Sequence, residues 1–393
     1  MDNSSTVRPL TTAEDLLKAR QISAVAFVSP FDATKFTMPE PGPSQVWGYG
    51  DPLTSTMHVH DFGVWFDGSL VKCAGIGGVA SLPEGRGQGG IRSLFASLMP
   101  KWKKEDIVFS TLYPFSHLFY RKFGYELVQR THRYRLPMAA LSVFPRPERV
   151  TMITQWNPSD DNPLMLIHRD FGKQINLAVL RKDAQWRVAQ DPYRDVRYTY
   201  LIGDDAFVTF TKDAKPDADL YTLRVEDLAY RTPQALREIF GFLYALRAQY
   251  GQVDLSLPPS VPLTDMIPEC YDVSLEVQAH GMARVVHVQR ALELMRYPQE
   301  TGALCIHVDD AFLPENTGLY LVRYAQGKAQ EVTRERFGGR PDLKVSVQRF
   351  TQLVLGSLSL SQALWLSDVE CYVDPSRLTP IFPKKDVFFS DYF

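Results

Sequence analysis

A glycine-rich segment at residues 79–92, VASLPEGRGQGGIR, is the part of the sequence best suited to bind a ligand. It leads from an apolar stretch through closely spaced glycines into a stretch that favours a helix. Free backbone N–H groups at the start of a helix attract a pyrophosphate, and glycine allows close approach and positive φ. Arg86 and Arg92 could add positive charge at the phosphate end. The segment predicts a phosphate site, with an unliganded glycine-rich turn as the alternative.

The segment FYRKFGYE at residues 119–126 supplies a second chemical group, the phenol of Tyr120. A tyrosine can donate a proton or a hydrogen bond to a developing negative charge. In isolation, Tyr120 is better explained as a core tyrosine beside Phe119 and Phe123. Its role therefore depends on the motif around it.

Metal and disulfide chemistry are not expected. His58 and His60 alternate along a predicted strand, but they lack the third ligand that a metal site needs. The cysteines lie far apart and form no C-x-x-C pair, which predicts reduced thiols. They are Cys73, Cys270, Cys305 and Cys371.

The overall charge and hydropathy argue against two classes of partner. The 393 residues carry a formal net charge of -2, so no basic field favours nucleic acid or an anionic membrane surface. No apolar run reaches the length that spans a bilayer, and the first residues lack the pattern of a secretory signal. We expect a cytoplasmic protein that binds neither nucleic acid nor membranes.

The elements that would position these groups form a first α/β unit. Thr11 and Glu14 suggest a capping box at the start of the first helix. Strands are predicted at residues 56–66 and 70–82, and a helix begins near Gly90. A strand at 106–112, a short helix at 116–122 and a strand at 131–136 complete the unit.

The middle of the chain repeats this order. A hairpin at residues 198–202 and 206–211 and a strand at 221–227 precede a helix that begins at Thr232-Pro233, followed by a strand at 253–257. No glycine-rich turn precedes this helix, so the second copy is expected to bind no cofactor.

A third unit begins near Val288. Strands are predicted at residues 303–308 and 319–324, and a helix at 347–355. The last residues, 380–393, are rich in apolar and aromatic side chains. An exposed tail of this composition would promote aggregation, so we expect the tail to pack against the protein.

Two motifs together resemble a known family. The GNAT pyrophosphate loop reads Q/R-x-x-G-x-G/A, and Arg86, Gly89 and Ile91 occupy its defined positions, with Ile in place of the last small residue. The patterns V-A-x-x-P-x-x-R-x-x-G and Y-x-x-F-G-Y resemble the Eis (enhanced intracellular survival) family of GNAT N-acetyltransferases. The resemblance extends over the whole chain.

The resemblance implies an α/β (α+β) fold of three domains. Residues 1–140 would form the catalytic GNAT domain, and residues 141–287 a second, degenerate GNAT-like domain. Both would contain mixed sheets. Residues 288–393 would form a sterol-carrier-protein-like α/β domain whose C-terminus completes the active site. Eis-like proteins form hexamers, which predicts a homo-oligomer.

The resemblance also implies direct acetyl transfer from acetyl-CoA to an amine. Tyr120 would be the general acid, and the C-terminal carboxylate of Phe393 the general base. The family often has Ser-Glu shortly before this tyrosine, whereas this chain has Phe115-Ser116, so any role of that glutamate is lost or moved. The cofactor residues would be Val79, Ala80, Ser81, Arg86, Gly87, Gln88, Gly89, Gly90 and Ile91.

The acceptor is expected to be an amine-bearing small molecule or peptide. Eis-like proteins acetylate aminoglycosides, often at several amines, and some acetylate lysine side chains. The candidate acceptor contacts are Phe27, Asp32, Glu40 and Asp391. The alternatives are a protein lysine acetyltransferase and a carrier of lipids or apolar ligands with a vestigial GNAT domain.

Overall fold

The computed structural model describes residues 7–39, 42, 44–182, 185–186, 188–189, 191–212, 220–335, 339–389 and 391. Within this part, the chain forms two compact units. The first unit comprises residues 7–129 and His280–Lys385, and the second comprises Arg130–Ala279 and Asp386–Asp391.

The strands in chain order are β1 (Val7–Pro9), β2 (Ser44–Tyr49), β3 (Ser55–Phe66), β4 (Ser69–Ser81), β5 (Ile107–Leu112), β6 (Glu126–Leu127), β7 (Arg130–Pro137), β8 (Val150–Ile153), β9 (Tyr198–Ile202), β10 (Ala206–Lys212), β11 (Tyr221–Tyr230), β12 (Tyr250–Leu257), β13 (Ser274–Ala279), β14 (Met282–Val285), β15 (Gly302–Asp309), β16 (Gly318–Ala325), β17 (Lys328–Glu335), β18 (Leu343–Ser346) and β19 (Val369–Cys371). The α-helices are α1 (Ala13–Phe27), α2 (Gly90–Lys104), α3 (His117–Arg121), α4 (Pro163–Gly172), α5 (Pro192–Asp195), α6 (Pro233–Ala245), α7 (Leu263–Met266), α8 (Val288–Leu294), α9 (Val347–Leu355) and α10 (Leu360–Ala363).

The first sheet has the order β1-β2-β3-β4-β5-β14-β6, and β4 and β5 are its parallel pair. Helix α2 connects these two strands. Its apolar side packs on the sheet because Leu94, Phe95 and Leu98 recur at helical spacing and are buried with Met57 and Ile76. Helix α1 belongs to a separate apolar cluster that includes Ala80 at the end of β4.

The second sheet, in the order β13-β7-β12-β11-β10-β9-β8, repeats this plan. Four antiparallel strands, β8 to β11, lead to the parallel pair β11–β12, as β1 to β4 lead to β4–β5. Helix α6 connects β11 to β12. Its N-cap is Thr232, with Pro233 in the first turn, as the sequence predicted. The expected duplication of an α/β unit is confirmed.

One predicted strand pairs in a different sheet from the one expected. The strand predicted at 131–136 was expected to close the first unit, and this prediction is wrong. It is β7, whose Tyr134 and Leu136 lie in the core of the second sheet. The strand beside β5 is β14, which comes much later in the chain. Alternating side chains identify a strand but do not specify its partner.

The start of α1 also differs from the prediction. The N-cap is Thr12, whose hydroxyl accepts a hydrogen bond from the N–H of Asp15 at 3.2 Å. The predicted box of Thr11 and Glu14 is therefore one residue too early. Two adjacent threonines are equally good caps by type, and the chain direction at the helix start selects the second.

The third sheet has the order β17-β16-β15-β18-β19 and belongs to the first unit. Helix α9 has the predicted bounds and begins at the N-cap Ser346. The three-part architecture follows the predicted fold class, and the domain limits 1–140, 141–287 and 288–393 stay a prediction.

Within the described residues, no helix combines the length and apolar character needed to cross a bilayer. The four cysteines are free thiols.

The described part of the C-terminal tail is packed, as expected. Ile381 and Phe382 are buried in the first unit, and Val387 and Phe389 in the second. Within residues 380–389 and 391, the apolar side chains are therefore packed against the protein, as their composition predicted.

Hydrogen bonds and an ion pair hold the tail within the second unit. The N–H of Asn176 donates to the carbonyl of Asp386 at 3.0 Å, and the N–H of Phe388 donates to the carbonyl of Asn176 at 3.1 Å. The guanidinium of Arg181 donates to the carboxylate of Asp391 at 2.9 Å. The segment Asp386–Asp391 is thus fixed at both ends.

Candidate active site

Strands β4 and β5 separate at the end of their parallel pairing. The register runs from Lys72 opposite Ile107 to Ile76 opposite Leu112, and β4 then continues to Ser81. Its other edge stays paired with β3 as far as Ser81. Within the described residues, the edge of β4 at residues 77–81 is therefore not covered by β5. Backbone groups along this edge are available to an extended ligand.

A β-bulge lies at the same place. The register between β3 and β4 shifts between Thr56 and His58, and Gly78 has a φ of 54°. A Cβ on Gly78 would lie 2.8 Å from His58 Cδ2, so a side chain there would collide with the imidazole. Burial lowers the pKa of His58 to about 4, which keeps the ring neutral at pH 7.

The start of α2 presents a row of unbonded N–H groups. The first N–H of the helix to find a carbonyl is that of Ser93, which donates to Gly89 at 2.9 Å. In the described part of the chain, no acceptor is bonded to the N–H groups of Gly87, Gly89, Gly90, Ile91 and Arg92. Such groups, together with the helix dipole, form an anion site. The unbonded N–H groups at a helix start are as the sequence predicted, and a phosphate bound to them stays a prediction.

Glycine is required at positions 87, 89 and 90 of this turn for two different reasons. Gly87 and Gly89 have φ values of 79° and 84°, and open space lies where a Cβ would stand. Gly90 has an ordinary φ, but its Cβ would collide with the hydroxyl of Ser55 on β3. Positive φ therefore selects the first two glycines, and close approach of α2 to the sheet selects the third.

The departure of Ile91 from the family loop has a physical explanation. Its side chain is partly buried against the core beneath α2. A large residue is accommodated there while its backbone N–H stays unbonded within the described residues. The small residue of the family pattern is therefore not required for this turn.

The charged and amide side chains of the loop differ in their contacts. Arg86 is exposed, and the guanidinium of Arg92 lies 5.3 Å from the centre of the Phe312 ring. Neither arginine forms an ion pair within the described residues. Gln88 Nε2 donates to the carbonyl of Glu84 at 2.7 Å, which stabilises the turn. Both arginines are therefore available to a phosphate.

Tyr120 lies on α3, which begins shortly after β5 has parted from β4. The residue is 3% exposed. Its ring packs edge-on against Phe115, Phe119 and Phe95 at centroid distances of 5.5, 5.1 and 6.5 Å. Its hydroxyl has no hydrogen bond to any described residue, and burial raises its pKa. The ring is thus fixed by packing, and its hydroxyl can donate to a ligand.

Tyr125 provides the contrast within the same motif. Its hydroxyl is 2.6 Å from Ser110 Oγ, and Ser110 Oγ donates to the carbonyl of Ala74 at 2.8 Å. This tyrosine is fully buried and satisfied by the protein. Tyr125 therefore has a structural role, which distinguishes it from Tyr120.

Two other residues near the separated ends of β4 and β5 have buried polar atoms without a hydrogen-bond partner in the described residues. Thr56 is fully buried, and its hydroxyl has no hydrogen-bond partner in the described residues. The Nε2 atom of His117 is also buried and also has no partner there. Sequence reasoning did not identify Thr56, since a threonine on a strand is common. Among the described residues, no three His, Cys, Asp or Glu side chains have the arrangement of a metal site.

The predicted acceptor residues lie in different surroundings. Phe27 ends α1 and is 58% exposed, and Asp32 is an exposed N-cap that accepts from Thr34. Asp391 is buried, and its carboxylate is already paired with Arg181. Glu40 and Phe393 lie outside the described residues.

Family models match three parts of this chain. Residues 6–128 and 177–285 match two models described as acetyltransferase (GNAT) domain, and residues 288–390 match a sterol carrier protein domain. Both GNAT matches contain the parallel pair of their sheet. The chain is therefore a GNAT acetyltransferase with a C-terminal sterol carrier protein domain.

Solved structures of similar fold span nearly the whole chain. A GCN5-related N-acetyltransferase from Anabaena variabilis is 23% identical with a TM-score of 0.84, covering 98% of this chain and 100% of that chain. A conserved protein of unknown function from Enterococcus faecalis, a probable N-acyltransferase, is 23% identical with a TM-score of 0.81, covering 98% and 99%. Eis1 from Mycobacterium abscessus is 18% identical with a TM-score of 0.80, covering 98% and 99%. The fold is thus Eis-like, as the resemblance implied. No curated protein matched the sequence.

Proposed function

We propose that the protein transfers the acetyl group of acetyl-CoA directly to an amine of a cationic acceptor. The observation that carries this proposal is the row of unbonded N–H groups at the start of α2, beside the uncovered edge of β4. An anion site next to a free strand edge suits a cofactor that joins a pyrophosphate to an extended chain of amides. The acceptor is aminoglycoside-like in this proposal, with a peptide lysine as the alternative.

The cofactor would bind in two parts. Arg86, Gly87, Gln88, Gly89, Gly90 and Ile91 would hold the pyrophosphate. The amides of pantetheine would pair with β4 at Val79, Ala80 and Ser81, much as an added strand pairs with a sheet edge. A backbone N–H on this edge would polarise the thioester carbonyl and stabilise the oxyanion.

Tyr120 would donate a hydrogen bond to the departing CoA sulfur. An ordinary tyrosine has a pKa of about 10 and a thiol about 8.5, so full proton transfer to the thiolate is uphill. Burial raises the pKa of Tyr120 further. The phenol therefore stays protonated throughout the neutral range and stabilises negative charge mainly as a donor.

The carboxylate of Phe393 would accept the proton of the acceptor amine or attract its cationic form. This role comes from the family resemblance. A carboxylate is a weak base toward an ammonium group and needs a poorly hydrated site or a bridging water. Phe27, Asp32 and Glu40 would contact the acceptor. Asp391 is less suited to this role because it is buried and paired with Arg181.

The proposed oligomer is a hexamer, again from the family resemblance.

The competing function is a carrier of lipids or apolar ligands, since the chain contains a sterol carrier protein domain. The unbonded N–H groups and the unpartnered phenol favour the enzyme, because a vestigial domain has no reason to retain both.

The proposed reaction predicts amine-dependent release of CoA. Purified protein is mixed with acetyl-CoA and a panel of amines: an aminoglycoside, a polyamine, a lysine peptide and a neutral primary alcohol as the control. Free thiol is then measured over time. We expect stimulation by at least one polycationic amine and none by the alcohol. Absence of both acetyl-CoA binding and stimulation by any amine would refute the proposal and favour the carrier.

Gly89→Ala is expected to weaken acetyl-CoA binding about tenfold. The positive φ of Gly89 is strained for alanine, so the loop relaxes and its N–H groups turn away. Titration calorimetry with acetyl-CoA measures the effect. Gly203→Ala is the matched control, because Gly203 also has positive φ (56°) and open space at Cβ but lies in the β9–β10 turn. Equal affinities for the two variants would contradict the assigned site.

A further inference from the structure

The segment that carries Tyr120 is held by the sterol carrier protein domain. Gln348 Nε2, in the first turn of α9, donates to the carbonyl of Arg121 at 3.1 Å. Gln352 Nε2, one turn later, donates to the carbonyl of Leu127 at 2.8 Å. Both carbonyls belong to the short stretch from α3 to β6, and all four residues lie in the first unit. One helix of the C-terminal domain thus contacts both ends of this stretch.

A buried carboxylate joins the same elements through their side chains. Glu126 on β6 is 3% exposed, and Arg121 Nη2 lies 2.7 Å from its Oε1. Arg349 of α9 approaches the other carboxylate oxygen to 3.6 Å. A buried carboxylate needs such partners, so the two arginines and Glu126 form one network. Arg121, the residue after Tyr120, is therefore bonded to α9 through its backbone carbonyl, and its side chain reaches Arg349 of α9 only through Glu126.

A second buried pair supports the far end of α3. Arg284 on β14 is fully buried and donates to the carbonyl of Phe123 at 2.5 Å. It also pairs with Asp310, which follows β15 of the C-terminal domain. Gly124 has a φ of 83°, and a Cβ there would lie 2.7 Å from Arg284 Nη1. The turn after Tyr120 is shaped around this guanidinium.

Helix α3 cannot set its own orientation. It has five residues, and helices of this length have little stability without tertiary contacts. Tyr120 and Phe123 pack on Phe95 of α2, and the contacts from α9 and from the Arg284–Asp310 pair add to this support. The loop after Asp310 also reaches the cofactor helix, since Phe312 lies under Arg92 and Lys103 Nζ donates to the carbonyl of Glu315 at 2.9 Å.

We infer that the sterol carrier protein domain positions Tyr120 for acetyl transfer, and that Gln348 and Arg349 are its positioning residues. The inference rests on the proposed role of Tyr120. In this inference, the sterol carrier protein domain is part of the acetyltransferase site. In the carrier hypothesis, the same domain is an independent binding module. A shift of α3 would move the phenol away from the sulfur it must reach, and the loss would affect the rate more than the binding of acetyl-CoA.

The first test is Gln348→Ala in the full chain. Loss of one hydrogen bond to Arg121 is expected to lower kcat about fivefold while the KM for acetyl-CoA is unchanged. Arg349→Met keeps the apolar stem but also removes the bonds to Asp368 and Gln352, so it should lower kcat at least as much. Gln330→Ala is the matched control, because Gln330 Nε2 also donates to a backbone carbonyl, that of Ala325 at 3.2 Å, but on the strand β17. We expect the control to keep full turnover.

The second test combines Gln348→Ala with Tyr120→Phe. If Gln348 acts through the phenol, the double variant turns over no more slowly than Tyr120→Phe alone. A further fivefold loss in the double variant, or full kcat in Gln348→Ala, overturns the inference while the role of Tyr120 stands. Full kcat in Tyr120→Phe instead refutes the proposed role of Tyr120, and the inference falls with it. A purely structural effect would move the unfolding midpoint and the KM together, and it would also overturn the inference.

Discussion

Tyr120→Phe is expected to lower kcat about 100-fold, the effect of removing one preorganised donor from a developing charge. The affinity for acetyl-CoA should be unchanged, because the phenol would contact the sulfur and not the pyrophosphate. The free energy of unfolding should also be unchanged. The hydroxyl has no hydrogen bond to a described residue, so the substitution removes no hydrogen bond within that part of the protein.

Tyr125→Phe is the control for this experiment. Its hydroxyl is bonded to Ser110, so its loss should cost about 1 kcal/mol of stability with little effect on the rate. The two neighbouring tyrosines thus separate catalysis from folding. Steady-state kinetics and chemical denaturation of both variants give the result. A full rate in Tyr120→Phe, or a stability loss as large as that of Tyr125→Phe, would contradict the assignment.

A three-residue extension after Phe393 is expected to lower turnover about 100-fold, at the lower end of what a positioned base contributes. The segment before it cannot slide to compensate. Asp386 and Phe388 are hydrogen-bonded to Asn176, and Asp391 is paired with Arg181. The added residues would therefore displace the carboxylate and leave the anchored segment in place.

The control for the extension is Phe393→Ala, which keeps a terminal carboxylate but removes the ring. If the carboxylate is the active group, Phe393→Ala retains much more turnover than the extended protein, and both bind acetyl-CoA normally. Initial rates at saturating acetyl-CoA and amine measure this difference. Normal turnover of the extended protein would remove the terminal carboxylate from the mechanism.

Local elements were predictable because their signals lie in adjacent residues. The bounds of α9 and the Thr232-Pro233 start of α6 follow from cap residues and apolar spacing. The unbonded N–H groups of the glycine-rich loop follow from glycines within one turn. Such features need no knowledge of distant parts of the chain.

Features that depend on distant residues could not be predicted in this way. On the side away from β4, β5 pairs with β14 and not with β7, the strand that the local pattern had indicated. The bond from Gln348 to Arg121 joins residues 227 positions apart, and nothing in either local sequence indicates it. The apolar composition of the tail predicted that it would pack, but not that Asn176 and Arg181 would hold it. Long-range pairing is decided by the competition among all buried surfaces.

The position of β14 between β5 and β6 determines when the first sheet can be completed during synthesis. Until Met282–Val285 has been made, β5 and β6 have no strand between them, and their free edges can pair with other chains. At ordinary elongation rates this interval is roughly 10–30 s. An N-terminal fragment that ends before β14 contains the whole glycine-rich loop and Tyr120, yet its sheet stays open. The nascent chain therefore exposes an open sheet edge until β14 has been translated.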